Sequence, residues 1–259
     1  MRLDALEMAR STGKAGAHLG GSFSAMDIIA VLYGSILNIK NGEPKWENRD
    51  RFITSKRHCY LASYSALYRT GLITHEQLMS FHTDGELLAG YPWLPEYGLD
   101  FSGGSLGMGL SVGIGMALSA KRKKLDYKTY VLLGDGECNE GANWEGFMAA
   151  SKFSLDNLVV IIDNNHMQFD GKAEDIMPMG SFAEKLRTFG FVATDVNGHS
   201  IEELNRAFET EHTGKPLAII ANTIKGYGLP SIEDKAESHH AALSETDYEY
   251  MIKSIKEGK

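Results

Sequence analysis

Residues 130–171 read YVLLGDGECNEGANWEGFMAASKFSLDNLVVIIDNNHMQFDG. An apolar run, Val131-Leu132-Leu133, stops at Gly134-Asp135-Gly136. Helix-compatible residues follow over about 143–153, and a second apolar run, 158–162, stops at Asp163-Asn164-Asn165. Two short apolar runs, each closed by turn residues and separated by the length of a helix, predict a parallel βαβ unit. Parallel strands put their C-terminal ends on one edge of the sheet, and open α/β sheets bind ligands at that edge. Asp135 and Asn165, 30 residues apart, are therefore expected to converge at one mouth.

The chemistry of that pair is narrow. A carboxylate oxygen, a carboxamide oxygen and a backbone carbonyl make an all-oxygen site, which suits Mg²⁺ or Ca²⁺ and not Zn²⁺. Mg²⁺ held by few protein ligands completes its octahedron with water and with the phosphates of a ligand. The glycines flanking Asp135 let backbone approach a bound diphosphate closely. Asp-Gly alone is a common turn dipeptide. The second apolar run, ending in Asn-Asn at this spacing, is what lifts Gly134-Asp135-Gly136 above a plain turn.

GDG, then about thirty residues, then NN is similar to the thiamine-diphosphate fingerprint, and the wider stretch resembles the transketolase family. The resemblance runs from about Ala5 to about His240; it matches the diphosphate-binding half of the family and stops before the pyrimidine-binding half. It implies that residues 1–259 are one diphosphate-binding domain with the α/β thiamine-diphosphate-binding fold, a mostly parallel sheet with helices on both faces. The implied cofactors are thiamine diphosphate and Mg²⁺, with Ca²⁺ as a substitute. The implied partner is a separate C-terminal, pyrimidine-binding chain, in an α₂β₂ heterotetramer that is inactive without it. The implied reaction belongs to carbohydrate metabolism: transfer of a two-carbon ketol unit from a ketose, expected to be a phosphate, to an aldose.

The same resemblance implies roles for individual residues. Gly13-Lys14-Ala15-Gly16-Ala17-His18-Leu19-Gly20-Gly21 is similar to the family's SGHPGG loop, which turns His18 to the reacting substrate. By residue chemistry alone His18 reads as a loop histidine before a helix, with Ser24 or its neighbour as the cap. Residues 49–58, RDRFITSKRH, resemble RDRFxLSKGH, placing His58 on the diphosphate and the substrate hydroxyls. Arg57 stands where glycine is usual, at a position that can call for φ > 0. Gly90-Tyr91-Pro92 stands where Gly-His-Pro is usual, so Tyr91 takes the place of a substrate-facing histidine. A phenol still donates a hydrogen bond but is a poor proton shuttle at neutral pH.

Further along, residues 103–109, GGSLGMG, resemble GSLGQG, whose backbone wraps the cofactor at Gly104 and Leu106. Glycines at a helix start offer free N–H groups to an anion and also allow close helix packing. By the same resemblance Gly134, Asp135 and Gly136 are expected to hold the diphosphate, and Asp135, Asn165 and the carbonyl of Met167 to hold the metal. Glu140 matches the acid that couples to the partner chain near the second site. Glu237-Ser238-His239-His240 matches Glu-Trp-His-Gly, placing His239 on the diphosphate and among the catalytic histidines, with the alignment open to a slip onto His240. His199, in Asn197-Gly198-His199, reads as structural.

Composition sets outer bounds. The 259 residues make one large or two small domains and bury roughly three quarters of their unfolded surface. A formal net charge of −8, with no basic cluster longer than Lys121-Arg122-Lys123-Lys124, argues against a nucleic-acid partner. That cluster fits a helix C-terminus. No run of about twenty apolar residues exists, so no membrane span is expected. The first helix, interrupted by Asp4 and Glu7, does not read as a signal peptide. Cys59 and Cys138 are isolated and suggest a reducing, cytoplasmic setting. The competing functions are a thiamine-diphosphate enzyme of 2-oxo acids, resembling 1-deoxyxylulose-phosphate synthase or a 2-oxo acid dehydrogenase, a transketolase of a modified sugar such as a sulfosugar, and a non-catalytic cofactor-binding subunit.

Overall fold

The computed structural model describes residues 1–40, 42–88, 97, 99–101 and 104–258. Helix α1 (Arg2–Ser11) is followed by α2 (Leu19–Ser24) and α3 (Met26–Val31), joined at Ala25 and extended by a π-helical turn, Leu32–Ile36. Strand β1 (Arg51–Thr54) leads to α4 (Tyr60–Arg69), α5 (His75–Met79) and α6 (Gly109–Lys123). From there strands and helices alternate: β2 (Thr129–Gly134), α7 (Gly141–Lys152), β3 (Leu158–Asn164), a short α8 (Ala173–Ile176), α9 (Phe182–Thr188), β4 (Val192–Asn197), α10 (Ile201–Phe208) and β5 (Leu217–Asn222). Helix α11 (Glu245–Glu257) follows a loop.

The five strands form one parallel sheet in the order β1-β2-β3-β5-β4. The central strands are apolar at nearly every position because both faces of the sheet are covered. Successive residues point to opposite sides. Tyr130, Leu132 and Ile161 face the layer of α1, α3, α4, α10 and α11, whereas Val131, Leu133 and Ile162 face α6, α7 and α9. Gly113 lets α6 lie close on that second face, since a Cβ there would stand 2.4 Å from Val131 Cγ2. Lys121, Arg122 and Lys123 occupy the last turn of α6, where cations meet the negative end of the helix dipole.

The first glycine-rich segment departs from expectation. It is helical from Leu19, with His18 at the N-cap; Ser24 ends that helix fully buried, and its neighbour Ala25 takes the N-cap position of α3 without a side-chain hydrogen bond. Gly20 and Gly21 serve close approach: a Cβ would stand 2.3 Å from Ser238 Oγ and 2.6 Å from the His58 ring, respectively. Helix propensity penalises Gly-Gly, and tertiary contact overrides it here. Arg57 has no positive φ; it opens a single 3-10 turn, so the exchange of glycine for arginine strains no backbone. Among the described residues no helix is long and apolar enough to cross a membrane.

Candidate functional site

Strands β2 and β3 end in step. Gly134 is paired with Asp163, and the next N–H, that of Asp135, donates to the Asp163 carbonyl at 3.2 Å. Asp135 and Asn165 thus leave their strands side by side at the C-terminal edge of the sheet. Asp135 caps a 3-10 turn, its Oδ1 accepting from Gly136 N at 2.8 Å. Its Oδ2 is buried and has no hydrogen-bond partner. Burial, reinforced by the neighbouring Asp163, pushes the Asp135 carboxyl up to about 6. Asn165 is buried as well; its Oδ1 accepts from Met167 N at 3.1 Å and its Nδ2 donates to Ser24 Oγ at 3.3 Å.

A cleft of about 290 Å³ opens on this pair. Its lining holds His18, His58, Gly104, Leu106, Gly134, Asp135, Gly136, Asn165, Met167 and His239, all but two of the residues expected from sequence. Glu140 stands apart: it is the exposed N-cap of α7 and closes over Gly107, whose φ is +81° and whose added Cβ would meet Glu140 Cβ at 2.7 Å. The position expected of Tyr91 lies outside the described residues.

Three imidazoles gather on one wall. The ring centroids of His58 and His239 are 4.9 Å apart, His18 and His239 5.2 Å, and His18 and His58 5.9 Å. His18 Nδ1 lies 3.0 Å from the Tyr60 hydroxyl, which leaves Nε2 for the cleft. Burial and neighbouring cationic or imidazole groups hold all three below the usual histidine range, His18 at about 4, His239 at about 3 and His58 well down. His240, the alternative to His239, is exposed and does not line the cleft, although its ring lies 4.7 Å from that of His18. Among the described residues no group of three or more His, Cys, Asp or Glu is placed to hold a metal, so a cation here would rest on one carboxylate with amide and carbonyl oxygens.

Sequence reading missed the buried charges behind this wall. Lys56 is fully buried and pairs with Asp163, equally buried. Burial opposes the ammonium most, but the charge and hydrogen bond of Asp163, with Cys59 and Asp135, together raise the Lys56 pKa. Lysine is almost never fully buried unpaired, and nothing in the local pattern around Lys56 marked it. Lys225 is 1% exposed, donates to the Gln168 carbonyl at 2.7 Å, and is depressed to about 8 by burial and by Lys56. Glu137 ties three segments together: Oε1 accepts from Ser55 Oγ and from Gly107 N at 2.9 Å, and Oε2 accepts from Gly134 N at 3.1 Å. His199 is structural, bonded through Nδ1 to Asp27 at 2.9 Å and accepting from Ile224 N at 2.9 Å.

The family model of the transketolase thiamine diphosphate binding domain matches residues 1–256. The chain belongs to the transketolase family. Over 246 residues it is 39% identical to one of the subunits of the apulose-4-phosphate transketolase of Phocaeicola vulgatus, covering 94% of this chain and 87% of that one. Over 251 residues it is 37% identical to the 6-deoxy-6-sulfo-D-fructose transketolase subunit SqwG of a Clostridium species, covering 95% and 91%. The crystal structure of transketolase from Campylobacter jejuni superposes with a TM-score of 0.89 at 29% identity, over 99% of this chain and 41% of that one. The chain thus spans about two fifths of the full-length transketolases and nearly the whole of the subunits. The fold of the sheet and its covering helices is the thiamine-diphosphate-binding fold of this family.

Proposed function

We propose that this chain is the cofactor-binding subunit of a two-chain transketolase, moving a two-carbon ketol unit from a ketose to an aldose. The observation that carries the reading is Asp135 Oδ2, a buried carboxylate oxygen without a partner, set beside Asn165 in a cleft walled by imidazoles and a buried lysine. A buried charge without compensation is unfavourable, and a divalent cation on Asp135, Asn165 and the Met167 carbonyl compensates it. Mg²⁺ suits the all-oxygen donor set, with Ca²⁺ as a substitute. Gly104, Gly134 and Gly136 line the cleft with no side-chain bulk, as a diphosphate needs, and Leu106 lines it beside them. Lys225, His58 and His239 supply the donors on its flank.

Thiamine diphosphate, when bound, supplies the carbon–carbon bond cleavage. The chain's residues bind and orient. His18 and His58 face the donor sugar; held neutral, each imidazole keeps a lone pair able to take a proton from a sugar hydroxyl. Glu140 is exposed at the start of α7 and is assigned to contact with the partner. The names of the relatives, subunits of transketolases for a sugar phosphate or a sulfosugar, support a sugar substrate with an anionic group and a separate partner subunit; that this partner binds the pyrimidine and forms an α₂β₂ assembly is part of the proposal. The buried free thiols Cys59 and Cys138 agree with a cytoplasmic setting.

Calorimetric titration of thiamine diphosphate in the presence of Mg²⁺, with and without the partner subunit, tests the site. Binding that requires Mg²⁺ and is abolished in Asp135→Ala is expected. Ketol transfer by the mixed subunits, and none by this chain alone, completes the test; turnover of pyruvate instead of a ketose would overturn the proposed reaction.

A further inference from the structure

The carboxylate of Asp163 points away from the cleft into a closed set of donors. Oδ1 accepts from Thr223 Oγ1; Oδ2 accepts from Lys56 Nζ and, at 2.6 Å, from Ser24 Oγ. A carboxylate paired to an ammonium only accepts, so the single hydroxyl proton of Ser24 is committed to Asp163. The Gly21 carbonyl, 3.2 Å away, is the weaker, uncharged competitor for that proton. The Ser24 oxygen in turn accepts, with a long contact of 3.5 Å from Lys56 Nζ. Its neighbour on the cleft side is Nδ2 of Asn165, at 3.3 Å.

We propose that Ser24, oriented by the Lys56–Asp163 pair, is a positioning residue that fixes which face of the Asn165 carboxamide looks into the cleft. A carboxamide has one oxygen and one NH₂ of nearly equal shape, and only the oxygen has lone pairs for a cation. Turned the other way, Asn165 would aim N–H groups at the cation and at the N–H of Met167, which now donates to Oδ1 at 3.1 Å. Ser24 rejects that orientation from behind, because its proton is held by the charged acceptor Asp163 and its oxygen would lose the Asn165 donor, keeping only the longer Lys56 contact. The side chains of Ser24 and Asp163 are buried, so water does not substitute for either. Outer partners of this kind set the orientation of metal ligands, and their loss lowers metal affinity by roughly 10–100-fold.

The inference rests on reading Asn165 as a cation ligand, and a pair of backgrounds tests it. Aspartate at 165 carries oxygens on both sides, so its orientation no longer matters. In the assembled complex with thiamine diphosphate, Ser24→Ala is expected to raise the Mg²⁺ Kd about tenfold in the Asn165 background. In the Asn165→Asp background it is expected to change the Kd by less than about twofold. Calorimetric stoichiometry reports the folded fraction separately from Kd. Equal losses in both backgrounds, or no loss in either, would overturn the positioning role and leave the cofactor reading standing. A second readout needs neither metal nor cofactor. Exchange of the Asn165 side-chain amide protons with water, followed by NMR on the labelled chain, should quicken at least tenfold in Ser24→Ala; an unchanged rate overturns the proposal.

Discussion

The backbone N–H of Asp135 bonds to the carbonyl of Asp163 at 3.2 Å, one step beyond the last paired residues of β2 and β3. That bond carries the Asp135 side chain into the protein at the sheet edge, beside a second carboxylate, where its Oδ2 finds no donor. The carboxyl, pushed up to about 6, is a local source of instability in the cofactor-free chain. Asp135→Asn should therefore raise the apo stability by about 1–3 kcal/mol at pH 7.5, seen as a higher midpoint in urea denaturation. The same variant should lose Mg²⁺-dependent binding of thiamine diphosphate. A midpoint at or below the wild-type value would contradict the account of Oδ2.

The Lys56–Asp163 pair should behave as a buried ion pair broken from one side. Lys56→Ala leaves the Asp163 charge with only hydroxyl partners, and the expected loss is about 3–5 kcal/mol. Urea denaturation of the apo chain measures it. A loss below about 1 kcal/mol would show that the charge is compensated elsewhere.

Lys225 gives the cleft a pH limit on the alkaline side. Its ammonium is depressed to about 8, first by burial and then by Lys56. The charge is present below that value and lost above it, while an anionic diphosphate favours the charged form. Affinity for thiamine diphosphate should hold from pH 7 to 8 and weaken by up to about tenfold between pH 8 and 9. Lys225→Met should bind more weakly at pH 7 and lose most of this pH dependence in the same titration.

The histidine wall sets the acid limit of stability. His18, His58 and His239 are all depressed in the folded chain, chiefly by burial. Between the ordinary histidine value near 6.5 and about 4, the unfolded chain binds protons that the folded chain refuses. The contribution of the three histidines therefore falls as pH drops through that window, offset in part by protonation of Asp135 below about 6, and is level above it. Thermal melts at pH 7.5, 6.0 and 5.0 should show this decline. The decline should be shallower in His239→Gln, whose side chain does not titrate; an identical slope would remove His239 from the account.

Much of the fold was legible because parallel strands covered on both faces have to be apolar throughout, and apolar runs closed by turn residues are visible in one dimension. The runs 131–133 and 158–162 fall within β2 and β3, and Asp135 and Asn165 follow them directly. The glycine-rich segment before Ser24 defeats a local reading for the opposite reason. Its glycines answer to Ser238 and His58, which are far away in sequence. His239 and His240 differ by one position along the chain, and only the fold puts the first against His58 and leaves the second exposed.

The sequence alone determined the parallel βαβ unit and the meeting of one carboxylate and one carboxamide at its edge, since each follows from local periodicity and residue chemistry. The tertiary structure alone decided what stands behind the site: Lys56 against Asp163, Ser24 between Asp163 and Asn165, and Lys225 on the flank. These residues come from distant segments; the hydrogen bond between Ser24 and Asn165 alone spans 141 positions. Their roles depend on burial, and burial of a polar side chain leaves no periodic trace in the chain that carries it.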